Sequence, residues 1–237
     1  MHAPQRPVVI LTGAAGNLGR ATAAAFAARG ARLALLDRSP DALAAASAAQ
    51  PAGTEVQTFP ADLLDARAVG AAIDAVAARF GRIDVLANLA GGFAMGPPLH
   101  ETPDRDWDFM LDLNARTVFH ACRAAIPHLL AGGGGRIVNV SARAAARGVG
   151  HMAPYCVSKA AVVTLTESLS DELKDRGITV NCVMPGTLDT PQNRAAMPDQ
   201  NPGLWVPLPA LADVILFLAS DASRAVTGAA IPVYGCS

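Results

Sequence analysis

The sequence predicts an α/β protein with a single doubly wound parallel sheet, a Rossmann-type fold of about seven strands with helices on both faces. Three observations predict it. Short apolar runs alternate with longer Ala- and Leu-rich helical stretches along the whole chain. The first run leads into a glycine-rich turn, a helix, a second apolar run and an acid within about thirty residues, the layout of a dinucleotide-binding βαβ unit. No composition break marks a boundary, so residues 1–237 are read as one domain.

The first strand is the apolar run Val8–Thr12. Gly13, Gly16 and Gly19 follow, with Asn17 and Leu18 between the last two, and then an Ala-rich helix over 20–29 that Gly30 caps. The glycines allow a tight turn and a close approach of phosphate, and the helix start offers unpaired N–H groups to it. Residues 32–36 form the second strand, which ends at Asp37. A carboxylate there can accept hydrogen bonds from both ribose hydroxyls and repels a 2′-phosphate, which favours NAD(H) over NADP(H). Arg38 could contact a 2′-phosphate or lie over the adenine ring.

The alternation continues with a helix over 41–50, a strand over 54–59, a helix over 66–80 and a strand over 83–87. Asp62 and Leu63 follow the third strand, where Asp62 could meet an adenine amino group or simply begin the next helix. Asn88, Ala90 and Gly91 end the fourth strand, and small residues there let a ribose lie against the backbone. After a Gly- and Pro-rich loop, 104–130 reads as one long helix containing Asn114. A mid-helix Asn either bonds something specific at a site or is an inconsequential surface residue. A strand over 136–140 leads through Ser141 to a helix running to about residue 176, and a sixth strand covers 178–184. Pro185, Gly186, Leu188 and Thr190 come next, opening a segment over 186–207 that reads as a substrate-covering loop. A helix over 209–219 and a strand over 230–233 complete the chain.

The totals exclude several functions. Net charge is −1 and no basic tract is present, which argues against a nucleic-acid partner. The apolar run after the first seven residues is too short for a signal sequence, and no stretch resembles a membrane span. Cys122, Cys156, Cys182 and Cys236 read as free thiols, which points to the cytoplasm. No His, Cys or acid spacing suggests a metal site. His151 could border a substrate pocket, and Asp189 and Arg194 could contact substrate or pair with each other.

Tyr155 and Lys159 are four residues apart, on one helix face. Lysines are rare in this chain, with only Lys159 and Lys174, and it has only 2 tyrosines. An ammonium beside a phenol stabilises phenolate, so the pair fits a proton-transfer unit as well as a chance surface face. The wider pattern favours chemistry. Gly13–Gly19, Asp37, Asp62, Asn88–Gly91, Ser141 and Pro185–Thr190 all follow strand ends, where ligands of such sheets bind.

These residues resemble the short-chain dehydrogenase/reductase family over nearly the whole chain. Thr12–Gly19 matches its TGxxxGxG, Asp62 its adenine-contacting Asp, and Asn88–Gly91 its NNAG element with Leu89 in place of the second Asn. Tyr155 and Lys159 match YxxxK, Asn114 the helix Asn of the catalytic tetrad, and Pro185-Gly186 with Thr190 the nicotinamide-side motif. The resemblance implies hydride transfer between nicotinamide and a small carbonyl or alcohol substrate. Tyr155 would be the acid/base, Lys159 would hold the ribose and depress the Tyr155 pKa, and Asn114 would support a water relay. Backbone near Leu188 and the Thr190 hydroxyl would orient the carboxamide. It also implies a homo-oligomer, a tetramer or dimer. Where the family has its catalytic Ser, this chain has Ala142. Ser141 is the available substitute, yet adjacent strand residues face opposite ways, so the hydroxyl's role is expected to be missing. A local resemblance to dihydropteridine reductases, in Thr187–Pro198, Ala90–Gly92, Ala142–Ala145 and Trp205, offers reduction of a quinonoid or C=N substrate as the alternative. A catalytically decayed NAD-binding sensor or scaffold is the remaining reading.

Overall fold

The strands are β1 (Val8–Thr12), β2 (Arg32–Asp37), β3 (Val56–Pro60), β4 (Val85–Asn88), β5 (Gly135–Val140), β6 (Ile178–Pro185) and β7 (Ala230–Val233). The helices are α1 (Asn17–Ala28), α2 (Pro40–Ala48), α3 (Ala66–Phe80), α4 (Asp104–Leu111), α5 (Thr117–Ala131), α6 (Ala153–Leu173), α7 (Pro191–Ala196) and α8 (Leu208–Leu218). This computed structural model describes residues 6–236. Residues 1–5, part of the segment read above for a signal sequence, lie outside them.

All seven strands are parallel, in the order β3-β2-β1-β4-β5-β6-β7. Chain direction across the sheet reverses between β1 and β4, which opens a crevice at their carboxyl ends. Thr12 pairs with Asn88 there, and Asn88 with Asn139 on β5.

Alternation along the buried strands feeds two cores. Val8 and Ile10 of β1 and Ala34 and Leu36 of β2 join one cluster with α3, α5 and α6, represented by Ile73, Leu129 and Val162. Val9, Leu11, Leu33 and Leu35 point the other way, into a cluster with Phe26 of α1, Leu43 of α2 and Ile215 of α8. A one-residue slip in either strand would exchange the two layers, so the register is strongly fixed.

Two expectations change. The helix expected over 104–130 is divided by a π-helical turn, Asp112–Arg116, between α4 and α5. Its centre is Asn114, which is fully buried and bonded to a loop and a neighbouring helix. Single π turns widen a helix locally and bring out such a residue. The segment over 186–207 is also more ordered than a loop. Thr190 caps α7, its hydroxyl accepting from Asn193 N at 3.1 Å, and Pro191 opens it. Leu188 bridges to Val206, and Trp205 is buried, so both ends of the segment are tied to the body.

Gly19 is where α1 presses on the preceding turn. A Cβ there would stand 2.3 Å from the Gly13 carbonyl oxygen and 2.7 Å from Ala14 Cα. Backbone cannot yield as a side chain does, so Gly19→Ala is expected to cost at least about 2 kcal/mol. Calorimetry should show this as a melting temperature lower by about 5 °C or more.

Candidate active site

The carboxyl ends of the strands border a cleft of about 1350 Å³. Gly13, Asn17, Leu18, Gly19, Asp37, Arg38, Asp62 and Leu63 line one end of it. Ala90, Gly91, Pro185, Gly186, Leu188 and Thr190 line it further along, as do Ser141, Tyr155 and Lys159.

The glycine end fits an anion. Ser39 caps α2 and Asp65 caps α3 through side-chain hydrogen bonds, whereas Gly16 at the start of α1 offers none, and the first turn of α1 carries no acid. The first-turn N–H groups of α1 are therefore left for whatever the cleft holds, in the field of the helix dipole. The Asp37 carboxylate accepts from Ala15 N at 3.1 Å and Arg38 N at 2.7 Å, which fixes it beside the glycine turn. Asp62 accepts from Leu64 N at 2.9 Å, and the Leu63 carbonyl accepts from His120 Nδ1 at 2.9 Å. Uncapped N–H groups, a fixed ribose-type acceptor and flanking loop backbone are the donor set a dinucleotide requires.

Asn88 is placed differently from its neighbours. Its side chain is buried under the cleft and donates to Asn139 Oδ1 at 2.8 Å. It shapes the site through the sheet, and only its backbone neighbours reach the cleft. Thr12 Oγ1 accepts from Leu89 N at 3.1 Å, which holds the end of β4, while the Leu89 side chain packs on the α1/α8 core.

At the other end, the first turns of α6 carry Tyr155 and Lys159 into the cleft. Phe93 meets the Tyr155 ring edge-on, with centroids 5.0 Å apart and planes at 88°. The Lys159 ammonium donates to the Val140 carbonyl at 3.0 Å. Asn114 lies below the cleft wall. Its Oδ1 accepts from Gly92 N at 2.9 Å, and its Nδ2 donates to Gly92 O and to Ser158 Oγ, both at 3.1 Å. Ser158 in turn donates to the Tyr155 carbonyl at 2.8 Å. One side chain thus ties the loop after β4 to the helix turn bearing Tyr155. A Cβ on Gly91 would fall 2.8 Å from Asn114 Oδ1 and 3.0 Å from Lys159 Nζ, so a side chain there would displace both groups.

Ser141 donates its hydroxyl proton to the Lys159 carbonyl at 2.7 Å and is buried. It anchors α6 to the end of β5. Ala142, also buried, lines the cleft with a methyl group.

Burial dominates the titration of the pair. It pushes the Tyr155 phenol up to about 12, with Cys156 adding, and pulls the Lys159 ammonium down to about 8. The depressed Tyr155 pKa expected from sequence is therefore reversed in the protein alone. The ammonium is engaged by the Val140 carbonyl, and both groups are desolvated.

Several residues in or beside the cleft carry no sequence signal. Ser158 is a polar residue on a buried helix face, Arg143 opens a short 3-10 turn, and Phe93 and Arg147 sit in loops. Gln192 accepts from Asn17 Nδ2 at 2.7 Å, joining α7 to the glycine turn. Asp189 and Arg194 form a two-point ion pair with each other at 2.6 and 2.8 Å. His151 lines an adjoining pocket of about 300 Å³ with Pro97 and Leu99, which shares Val149 and Gly150 with the cleft. It is the one non-glycine residue with positive φ (62°) among the described residues. Among the described residues no group of three or more His, Cys, Asp or Glu could hold a metal ion, and no helix is long and apolar enough to cross a membrane.

The sequence profile described as short chain dehydrogenase matches residues 7–201. The chain belongs to the short-chain dehydrogenase/reductase family. As an oxidoreductase of that family, it is 37% identical to D-threitol dehydrogenase of Mycolicibacterium smegmatis, over 96% of this chain and 91% of that one. It is 36% identical to 2-(R)-hydroxypropyl-CoM dehydrogenase of Xanthobacter autotrophicus, over 96% and 97% of the two chains. Among solved structures, NAD+-bound xylitol dehydrogenase superposes with a TM-score of 0.90 at 30% identity, covering 97% of this short-chain dehydrogenase/reductase and 98% of that chain. Levodione reductase superposes with a TM-score of 0.91 at 33% identity, over 97% and 96%.

Proposed function

We propose that this short-chain dehydrogenase/reductase uses NAD(H) to interconvert a small carbonyl compound and its alcohol. The observation that carries the proposal is one cleft with the uncapped start of α1 at one end and the Tyr155–Lys159 pair at the other. The threitol and xylitol dehydrogenases and levodione reductase, by name, point the same way. Asp37 beside the glycine turn supports NAD(H) over NADP(H).

A bound nicotinamide supplies hydride to the carbonyl carbon in reduction and takes it from the alcohol carbon in oxidation. The protein positions and moves the proton. Gly13, Asn17, Leu18 and Gly19 hold phosphate, Asp37 with Arg38 holds the adenosine ribose, and Asp62 and Leu63 border the adenine. Ala90 and Gly91, next to the strand-end Asn88, flank the second ribose. Pro185, Gly186, Leu188 and Thr190 hold the carboxamide side. The Tyr155 hydroxyl gives its proton to the substrate oxygen in reduction and retrieves it in oxidation. Lys159 stabilises the phenolate and binds ribose hydroxyls. Asn114 keeps the loop at Gly92 and the Tyr155 turn in register. With Ser141 bonded to the Lys159 carbonyl, Tyr155 is the protein hydroxyl left to polarise the substrate. Exposed Phe109, Phe119 and Val157 on α4, α5 and α6 support association into a dimer or tetramer.

The direct test is oxidation of NADH and of NADPH across a panel of ketones and quinonoid dihydropterin, with alcohols and NAD+ in reverse. Turnover of a ketone or alcohol with preference for NADH is expected. Tight NADH binding with no turnover anywhere on the panel would instead identify a nucleotide-binding protein without catalysis.

A further inference from the structure

The Tyr155 end of the cleft has an uneven charge distribution. Its walls include Phe93, Phe109, Leu113, Met152 and Met197. The carboxylates lining the cleft are Asp37, which ends β2, and Asp62, which follows β3, both at the far end. The charged side chains on the stretch between β5 and α6 that lines the cleft are Arg143 and Arg147. Arg143 lies over the Tyr234 ring, 5.1 Å from its centroid, which holds its position. Arg194 of α7 does not line the cleft and is paired with Asp189. Arg147 is exposed and takes part in no ion pair among the described residues. A second observation bears on the same point. With Ala142 in the wall and Ser141 turned to the Lys159 carbonyl, no serine hydroxyl joins Tyr155 at a substrate carbonyl. A remote part of the substrate can supply orientation in its place, its binding energy being used to position the reacting carbon.

We propose that Arg147, on the same cleft-lining stretch as Arg143, recognises a terminal oxyanion, so that the substrate is a small ketone or secondary alcohol carrying an anionic group on a short apolar stem. This rests on the oxidoreductase function proposed above and narrows its substrate class. A guanidinium suits carboxylate, sulfonate and phosphonate alike, through paired N–H donors.

The test compares acetoacetate and levulinate, each against its own methyl ester, with acetonylphosphonate as the dianionic arm. All are run as NADH-dependent reductions by the full-length enzyme. The acids should exceed their esters in kcat/KM by about tenfold or more, the effect of one charge-assisted hydrogen bond. The preference should lie mainly in KM and shrink as ionic strength rises. Arg147→Ala should collapse the acid-to-ester ratio and Arg147→Lys should keep part of it. Arg147 is exposed, so both variants should fold. The phosphonate arm tells which oxyanion suits the wall. Esters used as well as acids, or a ratio that survives in Arg147→Ala, would overturn the proposal while leaving the oxidoreductase function standing. If no ketone is reduced, the same acids, esters and variants are compared by quenching of NADH fluorescence in the enzyme–NADH complex. Stronger binding of acids that is lost in Arg147→Ala supports the anion site, and equal binding sinks it.

Discussion

Tyr155→Phe should lower kcat about a thousandfold, the usual scale for loss of a positioned acid/base. The phenyl ring keeps its edge-on contact with Phe93, and the Ser158 bond to residue 155 uses its backbone carbonyl, which phenylalanine retains. NADH affinity, followed by fluorescence, should therefore stay within about twofold, and the melting temperature should hold. Steady-state NADH oxidation with the best ketone of the panel is the measurement. Substantial remaining activity would mean that another group handles the proton, and the assignment of Tyr155 would fall.

Lys159→Met should act in two opposite directions. Loss of the cation beside a phenol that burial pushes up to about 12 should reduce turnover about a hundredfold or more. Stability should move the other way. The folded protein lowers the Lys159 pKa from 10.5 to about 8, so between those values the unfolded chain holds a proton that the folded protein has released. Wild-type stability therefore rises with pH across that window, and below it the protein bears the cost of a buried cation. Tyr155 works in the opposite sense above pH 10, where the unfolded phenol ionises before the folded one. Methionine removes the cation's cost, offset in part by the lost hydrogen bond to the Val140 carbonyl, worth about 1 kcal/mol. Thermal melts at pH 7 and pH 10 should show the variant a few degrees more stable at pH 7 and the rise toward alkaline pH flattened. A variant that melts lower at pH 7 with the pH profile unchanged would mean that Lys159 is held as a stabilising contact and not as a buried cation.

The fold was legible because each element carries its own local signal. Val8–Thr12, Ala66–Phe80 and Ala230–Val233 have the bounds that apolar runs and helical periodicity assign them. The π turn at Asp112–Arg116 was not legible, because the widened backbone depends on Gly92 and Ser158, both distant in sequence from Asn114. Helix α7 did have a local signal, Thr190 followed by Pro191, which loop composition obscured. At the site, glycines, acids and strand ends marked most of the residues that line one cleft, whereas Asn88 and Asn114 lie buried beneath it. The titration of Tyr155 and Lys159 did not follow from their spacing, because spacing says nothing of how deeply two groups are buried. Arg143 gains its meaning only by lying over Tyr234, a residue from the far end of the chain.

Gly91 bears on how such a site can drift over generations. It contributes no reacting atom, yet alanine there would put a carbon 2.8 Å from Asn114 Oδ1 and 3.0 Å from Lys159 Nζ at once. A residue that does chemistry can sometimes be exchanged for another with similar chemistry. An absent side chain has no such neighbour in sequence space, since every genetic change from glycine adds atoms to the same small volume. One mutational bottleneck near the Tyr155–Lys159 pair is thus a place where the chain supplies nothing but room.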